Sequence, residues 1–165
     1  MTGQKKITGT RVLLFVLSVG ICYIAAAIGS YFTSLSVGSW YPTLVKPPVA
    51  PPAWVIGAVW TILFLLMGIA LFLVLGQDRS SPAVRRGIGL FTVQLALNVL
   101  WSLLFFGLRS PTLALWEMLV LWLAIAATIW QFQKISRPSA YLLVPYIGWV
   151  SFATVLTAWI LVLNP

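Results

Sequence analysis

Five runs of twenty or more mainly apolar residues dominate this chain, and each is bounded by helix-breaking or charged residues. They cover about 11–33, 52–75, 83–107, 111–133 and 139–163. A helix needs roughly 20 apolar residues to cross the hydrocarbon layer of a bilayer, so each run is long enough. Strands would show polar alternation with a period of two, and no stretch does. Only 7% of the 165 residues are charged, against about 25% in a soluble domain. There is too little polar surface to face water. The expectation is an all-α, integral-membrane five-helix bundle forming a single domain over 1–165.

The breakers are specific. Pro52 opens the second run, where a missing N–H costs nothing. Gly76 to Pro82 is a polar turn, Arg109-Ser110-Pro111 divides runs three and four, and Lys134 to Pro138 divides four and five. Lysines and arginines fall unevenly among the gaps. Lys5, Lys6, Arg11, Arg79, Arg85, Arg86, Lys134 and Arg137 share one side, and only Lys46 and Arg109 lie on the other. The positive-inside rule then places the N-terminus in the cytoplasm and the C-terminus outside. These charges sit in short gaps rather than along a stripe, so the net charge of +8 points to topology and not to nucleic acid. Lys5-Lys6 followed by an apolar run and Ala25-Ala26-Ala27 also has the look of a signal peptide. The run continues through Phe32, longer than a signal core requires, and is kept as a span.

Residues 34–51 form the one long connection. WYPTLVKPPVAPPAW, Trp40 to Trp54, has five prolines in fifteen residues. Consecutive prolines favour extended geometry, and residues before proline are pushed out of helix. The segment must cross the mouth of the bundle as a loop. Its residues allow either a rigid connector with an aromatic belt or a stiff lid over a cavity.

With no histidine, the commonest metal and haem ligand is missing, and no metal site is expected. The single cysteine, Cys22, allows no intramolecular disulfide. Gln94 and Asn98 lie four apart in the third span, and Trp101 and Phe105 continue that face. Gln94 is expected to join helices, and Asn98 to join helices or touch a ligand. Glu117 is the only acid within a span, about 9 Å along from Pro111. Pairing with Arg109 or with a polar group of span three is its ordinary role.

Nine tryptophans are many for this length. Trp40, Trp54, Trp116, Trp130 and Trp159 lie near span ends, where an interfacial belt explains them. Trp122 faces either lipid or a neighbouring helix. Trp60 lies about 12 Å inside the second span and Trp149 about 15 Å inside the fifth, too deep for a belt. They either pack helices or line a cavity. Indoles, phenyls and one or two amides would suit a flat, largely apolar ligand. Pro145 should kink the fifth span beside Trp149.

WYPTLVKP, PPAWVIGAVW, QLALNVLWSLLFFG and LLVPYIGWVSFATVL, in that order from Trp40 to Leu156, resemble the TspO/MBR family. The resemblance implies an antiparallel five-helix bundle, commonly a homodimer, whose first loop is a lid over a pocket. It also implies binding of tetrapyrroles such as protoporphyrin IX and of benzodiazepine- and isoquinoline-type drugs, with light-dependent porphyrin breakdown reported for some bacterial members. On that basis Trp60 and Trp149 are the indoles tied to porphyrin chemistry, and Asn98 lies near the ligand. Tyr41, Ile56, Gly57, Ala153 and Leu156 join Trp101 and Phe105 at the pocket, and Trp40, Pro51 and Pro52 belong to the lid. The chain departs from the family pattern at Val49, Phe64 and Thr157, where a tryptophan, a tyrosine and an asparagine are usual. Thr157 to Pro165 also lacks the Tyr and Lys/Arg associated with cholesterol in animal members.

The function expected is a receptor or sensor for tetrapyrroles and other flat apolar ligands, with the porphyrin as ligand and no cofactor required. No conventional catalytic constellation is visible, so enzymatic activity would have to use the ligand's own photochemistry. Transport of tetrapyrroles or other apolar metabolites is the alternative, although no internal repeat supports alternating access. For a homodimer, Ala25-xxx-Gly29 and Gly89 are small-residue candidates for close helix approach.

Overall fold

The computed structural model describes the backbone of residues 2–165 and the side chains of residues 9–165. The side chains of Lys5 and Lys6, used in the charge count, lie outside the described set. Among the described residues all regular structure is helical: α1 (Thr2–Ser34), α2 (Ala53–Leu75), α3 (Pro82–Ser102), α4 (Pro111–Gln133), α5 (Arg137–Leu142) and α6 (Val144–Leu163). A 3₁₀ turn, Tyr41–Thr43, lies between α1 and α2, and a π-helical turn, Leu103–Gly107, extends α3. Among the described residues five stretches are long and apolar enough to cross a membrane: Gly9–Ser34, Ala53–Leu75, Pro82–Gly107, Pro111–Gln133 and Arg137–Leu163. The chain is an integral, multi-pass membrane protein.

Prolines set most of the helix starts. Pro82 and Pro111 occupy first helical positions, and Pro52 is the N-cap of α2. Ser110 caps α4 by accepting from the Leu113 N–H at 3.3 Å. Pro145 divides the fifth span. It has no N–H to give the carbonyl of Tyr141, so the helix stops at Leu142 and restarts at Val144.

α1 packs on α2 and α3, α3 on α4, α4 on α5 and α6, and α5 back on α2. The order around the bundle is therefore α1, α2, α5/α6, α4, α3. The end of the bundle holding the Gly76–Ser81 turn is closed by a dense apolar core. Met67, Ala70, Val74, Ile125 and Phe132 are fully buried there, and Phe91 stacks on Phe132 at 5.9 Å with the rings 6° apart. Gln131 Nε2 donates to the Ala83 carbonyl at 2.9 Å, fastening α4 to α3. At Gly68 a Cβ would lie 2.7 Å from Val19 Cα, so only glycine lets α1 and α2 approach so closely.

The opposite end is covered by the proline-rich loop, held at three points. Ser36 Oγ donates to the Phe106 carbonyl at 2.7 Å, satisfying a group at the end of the π-helical turn. The Val45 N–H donates to Asn164 Oδ1 at 2.9 Å, and Asn164 Nδ2 donates to the Val45 carbonyl at 3.0 Å. Trp40 and Tyr41 set their rings edge-on to Phe105 at 5.6 and 6.2 Å.

Gly29 does not lie on a free face. Its missing Cβ makes room for Ser102 Oγ, 3.2 Å from where that atom would be, and Ala25 is buried. Gly89 has open space around it.

Candidate functional site

Beneath the loop lies a cavity of about 580 Å³. Every span contributes a wall: α2 gives Ile56, Gly57, Trp60 and Phe64, and α3 with its π-helical turn gives Asn98, Trp101 and Phe105. α4 gives Met118 and Leu121, and α6 gives Trp149, Ala153, Leu156 and Thr157. Val37, Tyr41 and Pro51 close it from the loop side. The sequence-selected positions Tyr41, Ile56, Gly57, Trp60, Asn98, Trp101, Phe105, Trp149, Ala153 and Leu156 thus surround one space. Of the three lid positions Pro51 lines it. Trp40 stands behind Phe105, and Pro52 is exposed at the start of α2.

Sequence reasoning missed the wall from α1, where Ala26, Gly29 and Thr33 face the cavity with Tyr23. Small residues on a membrane helix give the same signal whether they admit a neighbouring helix or leave room for a ligand. Met118 and Leu121 were missed because an ordinary apolar residue carries no mark of what it faces.

The rings are arranged around the space rather than filling it. Trp101 stacks on Phe105 at 5.2 Å with an interplanar angle of 21°. Trp60 tilts against Phe64 at 5.7 Å and meets Tyr146 edge-on at 6.2 Å. Trp149 lies 5.6 Å from Phe152. Tyr146, fully buried, accepts a 3.0 Å hydrogen bond from Asn98 Nδ2, so Asn98 joins α3 to α6 while also lining the cavity.

Three of the hydroxyls on the walls are committed to backbone carbonyls. Tyr23 donates to the Thr61 carbonyl at 3.1 Å, Thr61 to Gly57 at 2.8 Å, and Thr33 to Gly29 at 3.0 Å. By contrast the indole N–H groups of Trp101 and Trp149 are buried without a protein partner. Unmade hydrogen bonds at buried donors are costly. At the roof, burial raises the Tyr41 hydroxyl above the ordinary phenol value. Lys46 Nζ lies 4.7 Å from the Tyr41 ring centroid and donates to the Leu44 carbonyl at 3.1 Å.

Elsewhere two expectations change. Glu117 does not pair: both carboxyl oxygens are buried without a hydrogen-bond partner, and Arg109 is exposed on a loop with φ 51°. Gln94 is likewise buried with neither amide atom bonded, so it does not join helices through a hydrogen bond to the protein. Trp122, left open between lipid and a helix, donates to Ser151 Oγ at 2.8 Å and links α4 to α6. No group of three His, Cys, Asp or Glu side chains comes together among the described residues. The cavity walls present rings, the Asn98 amide and hydroxyls, among them those of Ser30, Tyr41, Ser102 and Thr157. They hold no carboxylate, lysine, arginine or cysteine for acid–base or nucleophilic work.

The family model for TspO/MBR matches residues 18–163. The chain is 44% identical over 155 residues to the tryptophan-rich protein TspO of Chlorobaculum tepidum, covering 94% of this chain and 98% of that one. It is 34% identical to protein CrtK of Rhodobacter capsulatus over 152 residues, covering 92% and 93%. With the human translocator protein it shares 40% identity over 132 residues, covering 78% and 77%. Family match, five-span bundle and near-full-length relatives agree: the chain belongs to the TspO/MBR family.

Proposed function

We propose that this protein is an intramembrane receptor for flat, largely apolar ligands of the tetrapyrrole class, protoporphyrin IX being the model ligand. The observation that carries the reading is the cavity of about 580 Å³, walled by Trp60, Trp101, Phe105 and Trp149. Its volume lies within the roughly 300–1,000 Å³ range of small-molecule sites. Rings supply stacking area, and the Asn98 amide on the wall supplies orientation. No histidine, cysteine or carboxylate lines the cavity, and the reading has the pigment held by its face and edge, with no need of a central metal.

Receptor is favoured over channel because the cavity is blind. Beyond Phe64, Tyr146 and Val150 the bundle is filled by buried side chains to its far end. The names of relatives speak of sensing and of translocation, and transport remains the second function to test. The excess of lysine and arginine at the closed end supports a cytoplasmic N-terminus, with the cavity mouth and C-terminus outside.

Light-dependent breakdown of the pigment belongs to the same reading. An excited porphyrin held against Trp60 and Trp149, with oxygen present, is placed to oxidise an indole, and the chemistry is the ligand's own. The test is a titration of purified protein with protoporphyrin IX in the dark, followed by illumination. Wild type should bind and bleach the pigment, while Trp60→Phe/Trp149→Phe binds and bleaches only at the free-pigment rate. Equal bleaching by both proteins would leave a binder without photochemistry. Absence of binding in the dark would overturn the tetrapyrrole assignment itself.

A further inference from the structure

A second hollow, of about 480 Å³, lies on the flank of the bundle between α2 and α6. It is lined throughout by apolar and aromatic residues, among them Val59 and Ile62 of α2 and Pro145 and Gly148 of α6. Three residues, Pro51, Trp149 and Phe152, line both this groove and the cavity beneath the loop. The two spaces therefore stand back to back, with the Trp149–Phe152 ring pair between them. We infer that this seam is the route by which apolar ligands pass from the hydrocarbon of the bilayer into the cavity. This rests on the cavity being the ligand site proposed above.

Four features carry the inference. The helix break at Leu143 lets α2 pack along α5 and part from α6 beyond it, so the bundle's ring of helices is least tightly closed at this seam. Gly148 borders the open part of the groove, where a Cβ would meet nothing within 4 Å and a larger side chain would project into it. The aqueous mouth, by contrast, is latched by Ser36 to Phe106 and by both bonds between Val45 and Asn164. A flat apolar molecule is also concentrated in the hydrocarbon layer rather than in water, so a side entrance meets it where it already is. Trp149 and Phe152, which line both spaces with their rings tilted at 42°, form the barrier.

A portal is a barrier and not a resting place, which makes its signature kinetic. Filling the groove should slow entry and exit by the same factor and leave the equilibrium unchanged. The test uses the full chain in phosphatidylcholine nanodiscs. Gly148→Phe fills the open space, and Gly148→Leu, a stronger helix former than glycine, does the same with less bulk if the first variant does not fold. Association and dissociation of protoporphyrin IX are followed by tryptophan quenching. Both rate constants should fall about tenfold together, with Kd unchanged. A parallel measurement needs no pigment. With 5-fluorotryptophan in the protein and a nitroxide at mid-chain on the lipid, the Trp149 resonance, assigned through Trp149→Phe, should be broadened in wild type and sharpened by either Gly148 variant.

Unchanged rates in a variant that still binds would overturn the portal in favour of entry under the loop. A weaker Kd with unchanged association would also overturn it, making the groove part of the seat. If wild type takes up no protoporphyrin, the ligand assignment falls, and the nitroxide result alone decides: broadening removed by Gly148→Phe upholds the seam, and no broadening in wild type ends it.

Discussion

Asn98 and Tyr146, 48 residues apart in sequence, meet at the cavity through a single 3.0 Å hydrogen bond from the amide to the phenol oxygen. The bond ties α3 to α6 directly beside Trp60, whose ring meets Tyr146 edge-on. It thereby fixes the wall on which a flat ligand would lie.

Removing the phenol oxygen should cost modest stability and some order at the wall. Hydrogen bonds between membrane helices are worth about 0.6 kcal/mol on average and up to about 1.7 kcal/mol. Tyr146→Phe is expected to destabilise by about 1 kcal/mol, since it also leaves the Asn98 amide donor unpaired. Asn98→Leu should lose a similar amount, and the double variant less than the sum. Unfolding in mixed detergent reads all three, and strict additivity would show that the pair does not interact.

Two glycines of α2 should respond in opposite directions. Gly57 faces the cavity with nothing within 4 Å of a Cβ, whereas at Gly68 a Cβ would lie 2.7 Å from the backbone of Val19. Gly57→Ala is expected to stabilise by about 0.5–1 kcal/mol through helix propensity alone. Gly68→Ala should destabilise by about 1–3 kcal/mol, because α1 and α2 must separate. Gly57→Phe should then abolish protoporphyrin binding with no loss of stability, because the ring occupies the cavity. A Gly57→Phe protein that binds normally would move the site elsewhere.

The spans were legible because a bilayer demands length and apolarity, and both are properties of the sequence alone. The break in the fifth span was legible for the same kind of reason: Pro145 lacks an N–H wherever it is placed. The π-helical turn was not. Leu103-Leu104-Phe105-Phe106-Gly107 contains nothing that distinguishes a wide turn from an α-helical one, since packing on α1 and α4 decides it. Within the cavity, Trp60 and Trp149 betrayed themselves by lying too deep for an interfacial belt, and the family resemblance supplied Tyr41, Ile56 and Gly57. The α1 wall stayed hidden because Ala26, Gly29 and Thr33 look like helix-packing residues. The Glu117 expectation failed because proximity in sequence to Arg109 says nothing about direction. The loop turns Arg109 outward while α4 turns Glu117 inward.

The turn at the closed end should titrate in a defined sense. Asp78 accepts from the Ser80 N–H at 3.0 Å and from the Ser80 hydroxyl at 2.8 Å, and these bonds hold its carboxyl below the ordinary aspartate value. A lowered folded-state pKa means stabilisation that is present above the unfolded value and is lost as pH falls through the folded one. Ser80→Ala removes the hydroxyl and keeps the N–H, so the Asp78 pKa should rise part of the way back. A carboxyl-carbon NMR titration is simple here, with only one other acid in the chain. An unmoved Asp78 would mean that the hydroxyl bond does not form in solution.

Asn164 offers the means to loosen the loop without touching the cavity. Its side chain both accepts from and donates to Val45, closing a two-bond clasp between the C-terminal end of α6 and the proline-rich segment. Asn164→Ala opens the clasp between half-buried Asn164 and exposed Val45, where each bond contributes at the low end of about 0.5–1.5 kcal/mol. The unfolding midpoint should move little, because the change is local, while the Val45 amide exchanges about tenfold faster. Ligand exchange then discriminates between the two entrances. If apolar ligands enter through the α2–α6 seam, protoporphyrin on- and off-rates in membranes stay at wild-type values even with the loop loosened. If they enter under the loop, both rates rise with the amide exchange, and the proline-rich segment, rather than the Trp149–Phe152 pair, is the gate.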